Sequence, residues 1–257
     1  MMSSAPRIAF VGAGNVATHL AQALYDAGCS ITACAASRAS HASELAARFG
    51  AQAVTPDAVP SDTDFIIISA TDGSIAQIAA ELPQTRGIVV HTSGSIPVDV
   101  LAARHERCGV LYPLQTFSRS VPVDMTQVPF FTEADSAATL ESIDKLARMV
   151  SSHVYHADSD KRKLLHIAGV LSSNFTVYLL GQCREVLSRG GYPLEVVKPL
   201  VEATVSKAFA VGPYDAMTGP ARRGDTAVIA GQSESLDEPL RTIYNLISES
   251  IYNQYHK

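Results

Sequence analysis

The stretch "RIAFVGAGNVATHLAQAL", Arg7 to Leu24, decides the fold. Ile8 to Val11 is an apolar run that suits a strand buried on both faces. Gly12-Ala13-Gly14 breaks the run, and Val16, Leu20, Ala23 and Leu24 then recur at helical spacing. The order strand, glycine turn, helix gives the G-x-G-x-x-A pattern its meaning. Gly12 permits the tight turn, Gly14 lets a diphosphate approach the backbone, and Ala17 lets the helix pack on the strand. The helix start, Asn15-Val16-Ala17, offers free N–H groups and a partial positive charge to phosphate. An ordinary strand–helix turn that happens to need glycine is the plainer reading.

Outward from this unit the chain keeps alternating. "SITACA" (30–35) reads as a strand, "ASELAARF" (42–49) as a helix and "AQAV" (51–54) as a short strand. "DFIIISA" (64–70) is the clearest strand of all, β-branched and without polar alternation. A helix near 74–82, strands at "GIVVHTSG" (87–94), "GVLYPLQTF" (109–117) and "VPFFTE" (128–133), a helix over 136–150 and the strand "HVYHA" (153–157) complete this half. Strands separated by helices predict a parallel, doubly wound sheet over residues 1–157. From Asp158 the rhythm becomes helical: about thirty residues ending at Gly190-Gly191, a helix from Pro193 to about Val211, a loop "GPYDAMTGPARRGD", and a last helix over 238–252. Residues 158–257 are therefore expected to form a second, all-helical domain. A unit of that size exposes much surface for its volume, so a homodimer is expected.

Composition narrows the partners. The chain has 257 residues and a net charge of −5 without a basic block, which argues against nucleic acid and anionic membranes. No run of consecutive apolar residues approaches 18, so no spanning helix is expected. Cys29, Cys34, Cys108 and Cys183 show no C-x-x-C spacing, which suits reduced thiols in the cytoplasm and no metal site.

The end of the second strand bears on the coenzyme. An NAD protein usually carries an acid there for the ribose 2′-hydroxyl. This chain has Ala36-Ser37-Arg38 instead. Ser37 and Arg38 could bind a 2′-phosphate by charge-assisted hydrogen bonds, so NADP is favoured over NAD. A solvated loop arginine is the other reading of Arg38. Ala70, Thr71 and Asp72 would reach the carboxyl edge of the sheet beside the nicotinamide ribose.

GAGNVA, the "SR" after the second strand, "VHTSGS", "YPLQTFS", "HIAGVLSSNF" and "TGPARRGD" together resemble the Rossmann-like NADP oxidoreductases with a helical C-terminal domain of unknown function. The resemblance covers nearly the whole chain. More distantly the layout is similar to 6-phosphogluconate dehydrogenase, β-hydroxyacid dehydrogenases, ketopantoate reductase and pyrroline-5-carboxylate reductase. It implies NADP binding, a C-terminal domain like that of 6-phosphogluconate dehydrogenase which dimerises, and an active site between the domains.

Three segments are candidates for the chemistry. In "HTSGS", Ser93 and Gly94 correspond to a serine–glycine element of β-hydroxyacid dehydrogenases; a turn capping the next helix is the structural alternative. His91 suits a core histidine as well as a functional one. On the long helix those enzymes carry a lysine acid/base with an asparagine one turn later. Here Lys163 and Asn174, eleven residues apart, share a face at about 100° per residue, and His166 and Ser173 share an adjoining one. The family spacing is thus absent. His166 is favoured over Lys163 as acid/base because an imidazole both gives and takes a proton near neutral pH. In "TGPARRGD", Thr218, Gly219 and Arg222 or Arg223 resemble the segment that holds the substrate carboxylate in pyrroline-5-carboxylate reductase; a salt-bridge loop with Asp225 is the alternative. Gln115 and Thr116 are polar groups at the end of the "YPLQTFS" strand. The reading favoured is an NADP-dependent oxidoreductase acting on a small anionic carbonyl, imine or hydroxy acid. A non-catalytic NADP-binding sensor or scaffold is the rival.

Overall fold

The computed structural model describes residues 5–256. One eight-stranded sheet runs in the order β3-β2-β1-β4-β5-β6-β7-β8. Its strands are β1 (Arg7–Val11), β2 (Ser30–Ala35), β3 (Gln52–Val54), β4 (Phe65–Ile68), β5 (Ile88–His91), β6 (Cys108–Pro113), β7 (Phe130–Ala134) and β8 (Val154–His156). The helices between them are α1 (Asn15–Asp26), α2 (Ala39–Ala47), α3 (Ile75–Glu81), α4 (Asp99–Ala102) and α5 (Ala137–Arg148). Successive residues of β1 point to opposite faces. Ile8 and Phe10 join Leu20 and Leu24 of α1 and Ile143 of α5 in one core. Ala9 and Val11 join Ile75 of α3 and Leu101 of α4 in the other. Both faces of the sheet are thereby covered, which explains why β4 is apolar at every position.

The sheet is not parallel throughout: β7 runs antiparallel to β6, with Leu111 opposite Thr132. Between them lies only a single 3₁₀ turn, Met125–Gln127, and no helix long enough to carry the chain back across the sheet. The order 3-2-1-4 reverses direction between β1 and β4, and in such sheets ligands bind in the crevice at that switch point.

The chain divides into two compact units, residues 1–174 and 175–257. The first takes in α6 (Ser159–Gly169) and a π turn, Val170–Asn174. The second contains α7 (Phe175–Arg189), α8 (Lys198–Val211), α9 (Pro213–Ala216), α10 (Pro220–Arg223), α11 (Thr226–Glu234) and α12 (Leu240–Tyr255). The segment expected as one long loop is thus broken by α9 and α10, each opened by a proline whose fixed φ suits the first helical position. The stretch Ser159–Arg189 is also long and apolar enough, by length and composition, to cross a membrane. Counting only consecutive apolar residues overlooks it, because its polar residues interrupt the run without lowering the average far enough.

Candidate functional site

A cleft of about 1180 Å³ opens along the carboxyl ends of β1, β2, β4, β5 and β6, with α6 and the π turn on its other side. At its centre is the glycine turn. Gly12 has φ +110°, and a Cβ there would lie 2.0 Å from the Ser69 carbonyl oxygen, so only glycine fits. Gly14 caps α1 without a side-chain hydrogen bond, and a Cβ on it would meet nothing within 4 Å. No capping side chain takes the first N–H groups of the helix, which leaves them to an anion. Asn15 and Val16 line the cleft, whereas Ala17 is wholly buried beneath it. The donor set fits a diphosphate.

Ser37 and His41 line the end of the cleft beyond β2, and no acid stands where an NAD-type carboxylate would. Arg38 is exposed and does not line the cleft. Ala70, Thr71 and Asp72 follow β4 along the same wall.

The opposite end is built from the loop after β5. Ser93 is buried, and its Oγ accepts from the backbone N–H groups of Ser95 and Ile96, both at 3.1 Å. Its hydroxyl is engaged in shaping its own turn. Ser95 Oγ donates to Asp72 Oδ2, joining this loop to the one after β4. Arg162 of α6, fully buried, pairs with Glu133 of β7 and donates to the Ile96 carbonyl at 2.5 Å. Burial lowers its pKa to about 10, which still leaves a cation at neutral pH. His91 is buried at the end of β5 and accepts from Ser93 N–H. Desolvation, with the Arg162 charge second, pushes its pKa down to about 4, so it serves as a neutral core histidine.

Sequence reasoning gives Tyr112 no functional role. Its ring lies under Gly94, where a Cβ would come 2.7 Å from the ring carbon bearing the hydroxyl. Its hydroxyl is 3.4 Å from His166 Nδ1, the long end of hydrogen bonding. Burial, then the Asp72 charge, raises its pKa, so the phenol stays protonated through neutral pH. The one sequence signal is its place at the carboxyl end of a strand.

His166, Gly169, Val170, Ser172, Ser173 and Asn174 line the facing wall. In a regular helix, eight residues would turn Asn174 about 80° away from His166. The π turn takes up an extra residue and brings both to the cleft. The face expected to join Lys163 to Asn174 is broken for the same reason. Lys163 lies outside the cleft and pairs with Asp160 at 3.3 Å. Gln115 and Thr116 line the cleft beyond Pro113. In the second unit, Gly219 has φ +103° and precedes α10, with Thr218 just before it. Arg222 lies over the Tyr255 ring at 4.1 Å, and Arg223 pairs with Asp225 at 2.9 Å.

Residues 3–116 match the Rossmann-like domain, and residues 128–251 match a domain of unknown function, DUF2520. A solved Bacteroides fragilis protein named a putative NADP oxidoreductase is 35% identical, with a TM-score of 0.91 over 97% of this chain and 99% of its own. Two more distant structures share the fold. One is 1-pyrroline-5-carboxylate reductase from Streptococcus pyogenes, 14% identical, with a TM-score of 0.67 over 98% of this chain and 99% of its own. The other is a reductive aminase from Aspergillus terreus in complex with NADPH and ethyl-5-oxohexanoate, 15% identical, with a TM-score of 0.71 over 97% and 94%. No curated protein matches in sequence.

Proposed function

Because this chain carries a Rossmann-like and a DUF2520 domain and belongs to one family with the Bacteroides fragilis protein named a putative NADP oxidoreductase, we propose that it is an NADP-dependent oxidoreductase. Its substrate in this reading is a small anionic carbonyl, imine or hydroxy acid. The observation that carries the proposal is a single cleft that brings an uncapped glycine turn together with His166, Asn174 and Tyr112. The names of the structural neighbours, reductases among them, support the same class.

A bound nicotinamide coenzyme supplies the hydride chemistry; the chain binds, orients and handles the proton. Gly12, Gly14, Asn15 and Val16 would hold the diphosphate, and Ala70, Thr71 and Asp72 the ribose beyond it. His166 gives or takes the proton at the substrate oxygen or nitrogen, with the Tyr112 hydroxyl beside its Nδ1. Asn174 offers an amide to the substrate or to the carboxamide. Ser93 and Gly94 shape the floor above Tyr112.

NADPH consumption across a panel of carbonyls and imines, with and without a carboxylate, tests this. His166→Ala is expected to lower turnover roughly 10²–10⁴-fold while NADPH affinity is kept. Tight binding with no turnover on any substrate would instead identify a sensor.

We further propose a homodimer. Among the described residues of the second unit only Ala216, Ala221 and Ser248 are buried, while Leu200, Phe209 and Leu246 are largely exposed. A second copy would cover such faces. The four unpaired cysteines suit a cytoplasmic setting.

A further inference from the structure

We propose that Arg119, on the loop between β6 and β7, is the side chain that recognises the 2′-phosphate of a bound NADP, within a strap that closes over the glycine turn. The proposal rests on the dinucleotide reading above and adds a residue that lies far outside the glycine motif.

Three contacts tie the strap to the first unit's opening elements. Asn15 Nδ2 donates to the Phe117 carbonyl at 2.9 Å. His19 Nε2 lies 2.9 Å from the Ser118 carbonyl, and its ring packs on Phe117 with centroids 5.4 Å apart. Arg119 Nη2 donates to the Ala13 carbonyl at 2.5 Å. The guanidinium is thus tethered to the middle residue of the Gly12–Gly14 turn. Its other arm reaches α2, where Nη1 stands 3.7 Å from Glu44 Oε2.

That position matters because α2 begins immediately after Ala36-Ser37-Arg38, the end of β2 where the adenosine ribose is read in such folds. Glu44 is the sixth of the nine residues of α2, and its side chain leans back toward the start of the helix. Arg119 shares the cleft wall with Ser37 and His41, while Arg38, the arginine adjacent in sequence, does not line it. The Glu44 contact is too long for a hydrogen bond, and both partners are partly exposed, so it holds the guanidinium weakly. A phosphate with three acceptor oxygens would take over that arm of the fork, with the Ala13 tether fixing its direction.

The test is the affinity of the intact protein for NADPH and for NADH, by calorimetry, together with the fragments adenosine 2′,5′-bisphosphate and 5′-ADP. Arg119→Ala is expected to weaken NADPH and the 2′,5′-bisphosphate roughly 10- to 100-fold and to leave NADH and 5′-ADP unchanged. Arg119→Lys keeps the charge without the fork and is expected to fall between, which separates recognition from loss of the folded strap. Glu44→Gln, which removes the competing carboxylate, is expected to tighten NADPH and not NADH. Equal weakening of both coenzymes by Arg119→Ala would place the side chain on the diphosphate or make the strap merely structural, and no change in either would remove it from the site; both results overturn the proposal. Failure of the unmutated protein to bind either coenzyme would instead overturn the dinucleotide reading itself, and this inference with it.

Discussion

The two units of this chain solve the problem of burial in opposite ways. The first places a sheet between two helical layers and fills both faces: Phe10, Ile67, Phe130 and Leu101 are fully buried. The second consists of helices alone, and α7, α8 and α11 bury no residue at all. A sheet presents two broad faces that helices of the same chain can cover, whereas a helix offers one stripe and needs a facing surface for each. The contrast puts the buried core in the sheet unit and leaves the helical unit with the exposed apolar faces on which the proposed homodimer rests.

A pair of truncations tests that contrast most severely. Phe130→Ala, in the sheet core, is expected to cost about 3–5 kcal/mol in denaturant unfolding. Phe209→Ala, at the most exposed large apolar side chain of α8, is expected to weaken self-association in light scattering and to leave the sheet unit's unfolding where it was. A protein that is monomeric at every concentration, with Phe209→Ala neutral to within about 0.5 kcal/mol, would leave the helical faces without the role given to them.

The acid limb of stability should come next in size, and it belongs to the sheet. His91 has a folded pKa of about 4 against an ordinary 6.5. Below pH 6.5 the unfolded chain takes up a proton that the folded one refuses, so stability falls as pH drops toward 4 and this contribution levels off beneath it. The loss is about 3 kcal/mol. His91→Gln should flatten this limb whatever it does to stability at pH 7; an unchanged slope would refute the assignment.

Thiol labelling gives the mildest readout. Cys29, Cys34 and Cys108 are buried, and burial pushes the Cys34 and Cys108 thiols up to about 11; Cys183 on α7 is exposed. In the native monomer Cys183 should react first and the other three only on unfolding. Protection of Cys183 at high protein concentration, lifted by dilution, would map the association onto α7.

Much of the sheet unit is legible in the amino-acid sequence. The strand-glycine-helix opening, the buried β4 run and the helix over 136–150 declare themselves because each is a local pattern of apolar spacing and turn chemistry. The antiparallel β7 does not, since alternation of strand and helix says nothing of direction once the helix between two strands is missing. In the cleft, the glycine turn, Asp72, Ser93 and His166 are residues that sequence patterns single out and that line the wall. Tyr112 carries almost no such signal, and regular helical spacing gives Lys163 a face it does not occupy.

What the sequence by itself determined is therefore whatever follows from neighbours along the chain: the glycine turn, the alternating elements and the change to helices near Asp158. Tertiary structure alone decided which distant groups meet. It brought Phe117 to Asn15 across 102 residues, Arg119 to Ala13 across 106 and Tyr112 to His166 across 54. A π turn, whose one extra residue leaves no compositional mark, then rotated Asn174 into the cleft. Local spacing sets the periodicity of an element, but which faces come together depends on the packing of the whole sheet unit, and a single inserted residue is enough to redirect a helix face.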